Sequence, residues 1–202
     1  MADSSAVLDV PSDWRLVLAS RSPRRRELLD RMGLHVEIRP ADIDETPDIG
    51  ESPVDYVRRL SVEKAAAVGL PGEIVVAADT TVELDGQILE KPIDRTDGRR
   101  MLRSLSGRSH RTHTGVTVVV PDSSWTGTAV VSTDVVFSVL DDGVIDWYLR
   151  TGEADDKAGG YGLQGVAAGF VERVDGSVTN VIGLPLVETL DLIRQAVRSV
   201  ST

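Results

Sequence analysis

The stretch Ser20-Arg21-Ser22-Pro23-Arg24-Arg25-Arg26 is the most chemically suggestive in the chain. Ser22 is suited to cap a helix and Pro23 to occupy its first position, which puts three arginines in the first turn. Cations at that end oppose the helix dipole by about 0.3–1 kcal/mol each when exposed, so clustering them there calls for a compensating anion. A phosphate would provide it. The free backbone N–H groups of the helix start, the hydroxyls of Ser20 and Ser22 and the guanidinium forks of Arg24 and Arg25 together suit a polyphosphate. The plainer alternative is a solvated basic surface paired with Glu27 and Asp30.

Asp79 is the second candidate. It follows the apolar run Ile74–Ala78 and reads as the point where a strand ends and the chain turns out with Thr80 and Thr81, an edge where ligand crevices form in α/β proteins. A carboxylate there holds a divalent metal or takes a proton from an attacking water; alternatively it caps the turn. Asp42-Ile43-Asp44-Glu45 is a solvated loop unless the fold sets it beside Asp79, when it becomes a candidate metal ligand set. Lys64 and Lys91 are ambiguous alone, although Lys91 sits between Glu90 and Pro92 in a constrained backbone. Gly159-Gly160-Tyr161-Gly162-Leu163-Gln164-Gly165 is either an irregular connection or a backbone that closely approaches a ligand, and the Gln164 carboxamide suits the edge of a nucleobase. His110 and His113 are three apart on an extended segment, so their rings face opposite ways and read as structural or surface groups rather than shared metal ligands.

The elements that must position these residues alternate along the chain. Arg15–Ala19 reads as a buried strand, followed by a tight turn and a helix to Met32 before Gly33. A helix fits Pro53 to Val68, a strand Ile74–Ala78, and a hairpin the pair Val82–Leu84 and Gln87–Leu89 about Asp85-Gly86. Thr96–Leu105 reads as a helix, Gly115–Val120 and Ala129–Leu140 as long strands joined across 121–124, and Asp142–Arg150 as a helix. Val166–Val174 and Ser177–Ile182 read as a second hairpin over Asp175-Gly176, and Pro185 opens a last amphipathic helix through Val197. The expected fold class is mixed α/β, a twisted sheet with antiparallel hairpins and flanking helices.

Composition narrows the partners. With 22 Lys+Arg against 32 Asp+Glu the chain carries a net charge of −10, so nucleic acid polymers and anionic membranes are not expected partners, and a polyanion must find a local basic pocket. No Cys is present, which removes disulfides and thiol chemistry and fits a reducing compartment. No apolar run approaches the roughly 20 residues of a membrane helix. Residues 1–14 lack the charged and apolar regions of a secretory signal and read as a flexible extension, and no linker marks a boundary within 15–202, which reads as a single domain. There is no Walker-type phosphate loop, no H-E-x-x-H, no G-x-S-x-G elbow and no dinucleotide fingerprint.

Leu18-Ala19-Ser20-Arg21-Ser22-Pro23-Arg24-Arg25, Ala77-Ala78-Asp79-Thr80, Glu90-Lys91-Pro92, Leu105-Ser106-Gly107, the run from Asp156 to Gly165, and Gly183-Leu184-Pro185 together resemble the Maf family of nucleoside triphosphate pyrophosphatases, in order over residues 15–195. The resemblance implies a cytoplasmic, usually dimeric enzyme of the ITPase-like (Maf/Ham) fold. Such an enzyme splits a nucleoside triphosphate into monophosphate and pyrophosphate with a divalent cation, Mg²⁺ or Mn²⁺. By matching position it implies Asp79 as general base or metal-linked catalyst, Asp44 and Glu45 as accompanying acids, Lys64 and Lys91 as the two lysines, and Ser20, Arg24 and Arg25 as phosphate ligands. Arg24, Thr80 and Gln164 match the branch preferring dTTP and UTP, and Gln164 argues against the branch acting on 7-methyl-GTP. The family's association with septum formation leaves a second reading, a nucleotide-binding regulator of division without turnover, with a division protein as partner. A phosphosugar hydrolase using the same anion pocket is a third.

Overall fold

The computed structural model describes residues 7–200. In chain order the elements are β1 (Arg15–Leu18), α1 (Pro23–Arg31), β2 (Glu37–Ile38), α2 (Pro53–Val68), β3 (Glu73–Leu84), β4 (Gln87–Leu89), α3 (Arg95–Leu105), β5 (Ser109–Val120), β6 (Trp125–Phe137), α4 (Asp142–Arg150), β7 (Val171–Asp175), α5 (Val178–Ile182) and α6 (Leu186–Val200). The strands form one mixed seven-stranded sheet in the order β2-β1-β3-β5-β6-β7, with β4 also on β3. β1 runs parallel to β2 and β3, and the remaining pairs are antiparallel. The mixed α/β class expected from the sequence is the one observed.

Three long strands, β3, β5 and β6, form the spine, and alternation along them divides the core. On one face Leu18, Ile74, Val76, Val116 and Val118 pack against Leu28 and Leu29 of α1 and Ile193 and Ala196 of α6. Farther along that face Val82, Val135 and Phe137 meet Leu102 and Leu105 of α3 and Ile145 and Tyr148 of α4. The opposite face is covered by α2, whose Tyr56, Val57 and Leu60 cluster with Ile43, Ile88 and Val130. α2 lies directly on the sheet because β5 carries Gly115 under it: a Cβ there would stand 2.2 Å from the Val57 carbonyl oxygen.

Two sequence expectations need correction. β3 does not end at Ala78. It continues through Asp79, Thr80 and Thr81 to Leu84, because these residues keep their pairing with β5 (Asp79 opposite Gly115, Thr81 opposite His113). The expected hairpin over Asp175-Gly176 has one strand only. The Glu153 carboxylate takes the amides of Val166 (2.9 Å) and Ala167 (3.4 Å), and Val166–Phe170 coils into a 3₁₀ turn. Ser177 caps the following segment through the Asn180 amide (3.2 Å). The fully buried Asn180 donates to the Thr112 carbonyl (3.0 Å) and Thr133 Oγ1 (2.9 Å), so Val178–Ile182 is the helix α5.

The Asp85-Gly86 hairpin is as expected, both residues having the positive φ (54° and 80°) that a two-residue turn of this kind requires. Of the expected extension 1–14, residues 1–6 lie outside the described residues. Val7 donates its amide to the Met32 carbonyl (3.0 Å), and Leu8, Val10 and Trp14 pack on the core. His110 and His113 are both buried on opposite faces of β5: His110 Nε2 shares a 2.8 Å hydrogen bond with the Tyr161 hydroxyl, and His113 lies between Glu83 (3.0 Å) and Ser132 (2.7 Å). Among the described residues no helix is long and apolar enough to cross a membrane.

Candidate active site

β1 pairs with β3 over Glu73–Val76 and β4 over Val82–Leu84, so the edge of β3 between them, Ala77–Thr81, has no neighbouring strand on that side. Into this gap open Asp79 from one face of the sheet and Thr80 from the other, which is why two successive residues of one strand line the same cavity. The cavity measures about 590 Å³. The chain leaves β1 at its edge, so the first turn of α1 with Ser20, Arg24 and Arg25 forms one wall, at the carboxyl end of a parallel strand where α/β crevices form.

The α2 wall contributes Lys64. Its buried ammonium donates to Asp79 Oδ1 at 2.6 Å and pairs with Glu45 Oε1 at 2.9 Å. Glu45 arrives from the acidic loop, which α2 itself holds down: Ile43 packs on Tyr56, Val57 and Leu60, the Tyr56 hydroxyl donates to the Glu45 carbonyl (2.9 Å), and Arg59 donates to the Thr46 carbonyl (3.1 Å). Burial by itself raises the Glu45 pKa, but the hydrogen bond to Lys64 and the charges of Lys64, Lys91 and Arg25 outweigh it, and the carboxyl is held below its ordinary value. Burial and the carboxylates of Asp79, Glu90 and Glu45 push the Tyr56 hydroxyl well above its usual range, so it stays a donor.

Across the cavity Arg25 spreads its fork over three neutral acceptors: the Gly183 carbonyl (2.8 Å), Ser20 Oγ (3.0 Å) and Thr80 Oγ1 (3.0 Å). Burial and the neighbouring Arg24 lower its pKa while Asp79 and Glu45 counteract, and no carboxylate pairs with it directly among the described residues. A cation fixed by neutral groups and facing open space suits an anionic ligand. Thr80 is fixed in turn by Thr114 Oγ1 (2.9 Å).

Of the sequence candidates, Ser20, Arg24, Arg25, Glu45, Lys64, Asp79, Thr80, Lys91 and Gln164 all line this one cavity. Asp44 does not: its carboxylate takes the Thr46 amide (2.9 Å), and hydrogen bonds from Thr46 lower its pKa. Among the described residues no cluster of three or more His, Asp or Glu side chains stands where it could hold a metal. Lys157, Arg21, Tyr56 and Glu90 also line the cavity and were not singled out from the sequence. Lys157 could have been, since it stands two residues before the glycine-rich run and inside the motif Asp156–Gly165. Its ammonium bonds the Glu153 carbonyl and Asp156 Oδ1, each at 2.6 Å, and Asp156 Oδ2 pairs with Arg24 at 3.0 Å.

Residues 15–196 match the family described as Maf-like protein. The chain belongs to that family. Among its Maf-like relatives, a protein of Anaeromyxobacter dehalogenans (strain 2CP-C) named dTTP/UTP pyrophosphatase is 56% identical over 185 residues, covering 90% of this chain and 94% of that one. One of the same name from Chromobacterium violaceum is 49% identical over 191 residues, covering 91% and 96%. Among solved structures, the Staphylococcus aureus Ham1 protein overlays on 61% of this chain and 71% of its own with a TM-score of 0.45 and 16% identity. The Maf-like match spans every element that walls the cavity, from α1 to α5.

Proposed function

We propose that this protein is a nucleoside triphosphate pyrophosphatase that hydrolyses the α–β phosphoanhydride to nucleoside monophosphate and pyrophosphate, with dTTP and UTP preferred. The observation that carries the reading is the pairing, across one cavity, of an ammonium shared by two carboxylates with an arginine fork held by neutral acceptors. The names of the relatives, at 56% and 49% identity over nearly the whole chain, support the substrate class.

In this reading Arg24, Arg25 and Lys91 bind and neutralise the phosphates, and Ser20 adds a hydroxyl donor. Asp79, oriented by Lys64, takes a proton from a water that attacks the α-phosphorus in line. The new P–O bond forms as the bond to the β-phosphate oxygen breaks, and pyrophosphate leaves with the electron pair. Positioning and charge neutralisation do most of this work. Thr80 and Gln164 read the pyrimidine, and a base lacking the matching groups leaves them unpaired.

Lys64 engages one oxygen of Asp79 and one of Glu45. The other oxygen of each makes no hydrogen bond among the described residues, so the pair fits the one or two carboxylates with which Mg²⁺ or Mn²⁺ is held beside substrate phosphates. When bound, such a cation supplies further neutralisation of the phosphates. A homodimer and a cytoplasmic location belong to the same proposal. The first is supported by the edge of β6, which β7 covers only at Asp134–Phe137, and the second by a sequence without Cys.

Pyrophosphate release from dTTP, UTP, CTP, GTP, 7-methyl-GTP and sugar phosphates with Mg²⁺ or Mn²⁺, run beside Asp79→Asn, tests the reading. Release from dTTP and UTP that the variant loses supports it. Tight nucleotide binding without turnover under either metal would move the regulator of division to first place, and sugar phosphate turnover without base preference would favour the phosphosugar hydrolase.

A further inference from the structure

Beneath the glycine-rich run lies a side chain that the proposed chemistry does not use. Glu153 follows α4, and its carboxylate is spent inward on the run that carries Gln164. Oε2 accepts the Val166 amide at 2.9 Å; Oε1 accepts the Ala167 amide at 3.4 Å and the Tyr148 hydroxyl at 3.2 Å. Its backbone carbonyl takes the Lys157 ammonium at 2.6 Å. The run closes onto these two side chains with no space between: a Cβ on Gly165 would stand 2.2 Å from Glu153 Oε2, and one on Gly162 would stand 2.6 Å from Lys157 Cδ. Gly165 has φ −106°, open to any residue, so the Glu153 carboxylate is what holds that position to glycine.

Leu163 and Gln164 are therefore suspended between two clamped glycines. The amides just beyond them are fixed by a carboxylate, whose hydrogen bonds are about twice as strong as those of a neutral acceptor. Gln164 itself is exposed and lines the cavity, and no hydrogen bond holds its side chain among the described residues, so its aim is set by the backbone beneath it.

We infer that Glu153 is a positioning residue for base selection: by clamping Gly165, Val166 and Ala167 it fixes the backbone from which Gln164 reads the nucleobase. The inference rests on the proposed triphosphate chemistry and deepens it. Glu153 lines no part of the cavity, so its carboxylate acts through the run, and its backbone carbonyl, which holds Lys157, is kept when the side chain is changed.

The test is a cycle of Glu153→Gln, Glu153→Ala, Gly165→Ala and Glu153→Ala/Gly165→Ala, each read for kcat and KM with dTTP and with GTP, for nucleotide affinity by calorimetry without metal, and for Tm. Loss of a charge-assisted hydrogen bond predicts that Glu153→Gln lowers kcat/KM for dTTP by about 10- to 100-fold, chiefly through KM, while GTP changes little. Gly165→Ala does the same in the parent, where the new methyl meets the carboxylate, and adds little further in the Glu153→Ala background, where space has been made. Proportional losses for dTTP and GTP, a fall in Tm alone, additive effects in the cycle, or no base preference in the parent would each overturn the inference. If the parent binds nucleotides but releases no pyrophosphate from any of them, the proposed function falls instead. The clamp is then judged on the same cycle from the dTTP-to-GTP affinity ratio.

Discussion

Lys64 stands between two carboxylates, and removing it acts on Glu45 with a definite sign. Lys64→Met removes the hydrogen bond and the nearest charge that hold the Glu45 carboxyl below its ordinary value, leaving only Lys91 and Arg25 to oppose its burial, so the Glu45 pKa rises. The acidic limb of the pH–rate profile should then move to higher pH and the plateau fall. An unmoved limb would mean that Glu45 does not have to be ionised for turnover. Asp79→Asn is expected to lower kcat by about 10²- to 10⁴-fold, the range for loss of a general base, with nucleotide affinity retained in calorimetry. Arg25→Lys should raise KM about tenfold, because one ammonium cannot span Gly183, Ser20 and Thr80 as the planar fork does. Ser20, Arg24 and Arg25 were legible in the sequence because their signal is local, cations placed against a helix dipole. Residue types and spacing gave Glu45, Lys64 and Asp79 only separately, and the family resemblance alone joined them in one site. Its assembly depends on Ile43 and Arg59 pinning a loop to α2, and no spacing in the sequence encodes that.

At the scale of elements, the separation of α2 from the sheet decides whether Lys64 reaches Asp79. Gly115 lies directly opposite Asp79 in the ladder and directly under Val57 of α2. Gly115→Ala has only backbone to displace, so α2 must lift; overpacking of this kind costs about 1–3 kcal/mol. The variant should lose several degrees of Tm in a thermal melt and lose turnover disproportionately, since Lys64 moves with the helix. Full activity in a destabilised variant would show that the Lys64–Asp79 contact is not needed.

A second element-scale expectation concerns His110, which joins β5 to Tyr161. Burial depresses its pKa to about 4, well below the unfolded value of about 6.5, so the unfolded chain binds the proton more readily. This contribution to stability is complete above pH 6.5 and is lost as pH falls toward 4, by about 3 kcal/mol over the window. Urea unfolding of the protein and of His110→Phe at pH 7 and pH 5 should show a steeper loss in the parent; equal losses would place the acid sensitivity elsewhere. The bounds of α2 and α4 were readable from caps and periodicity. α5 was not, because Val178–Ile182 has strand-like residue types, and the buried side chain of Asn180, fixed to β5 and β6, overrides them.

At the scale of the whole molecule, the cavity is a nearly neutral recess in an acidic protein. Six cations, Arg21, Arg24, Arg25, Lys64, Lys91 and Lys157, line it against five carboxylates, Asp42, Glu45, Asp79, Glu90 and Asp156, while the chain as a whole carries −10, so a small polyanion is met by single cations such as Arg25 and nucleic acid polymers are repelled at large. Members of both apolar clusters on one face of the spine line the cavity, Ile182 from one and Val82 and Tyr161 from the other. Arg25 and Gly183 stand on the side of α1 and α6, and Lys91, Tyr161 and Gln164 on the side of α3 and α4. A triphosphate gripped at one end by Arg25 and read at the other by Gln164 would tie those halves together. At a concentration about 100 times its Kd a ligand adds about 2.7 kcal/mol, which for a chain of this size is about 5–10 °C in Tm. With Asp79→Asn to prevent turnover, dTTP or UTP should raise a single unfolding transition by that amount, GTP by less, and added NaCl should reduce the shift. An equal shift with GTP would remove the base preference. Two transitions, only one of them moved, would show that the halves unfold separately and that the ligand is held by one alone.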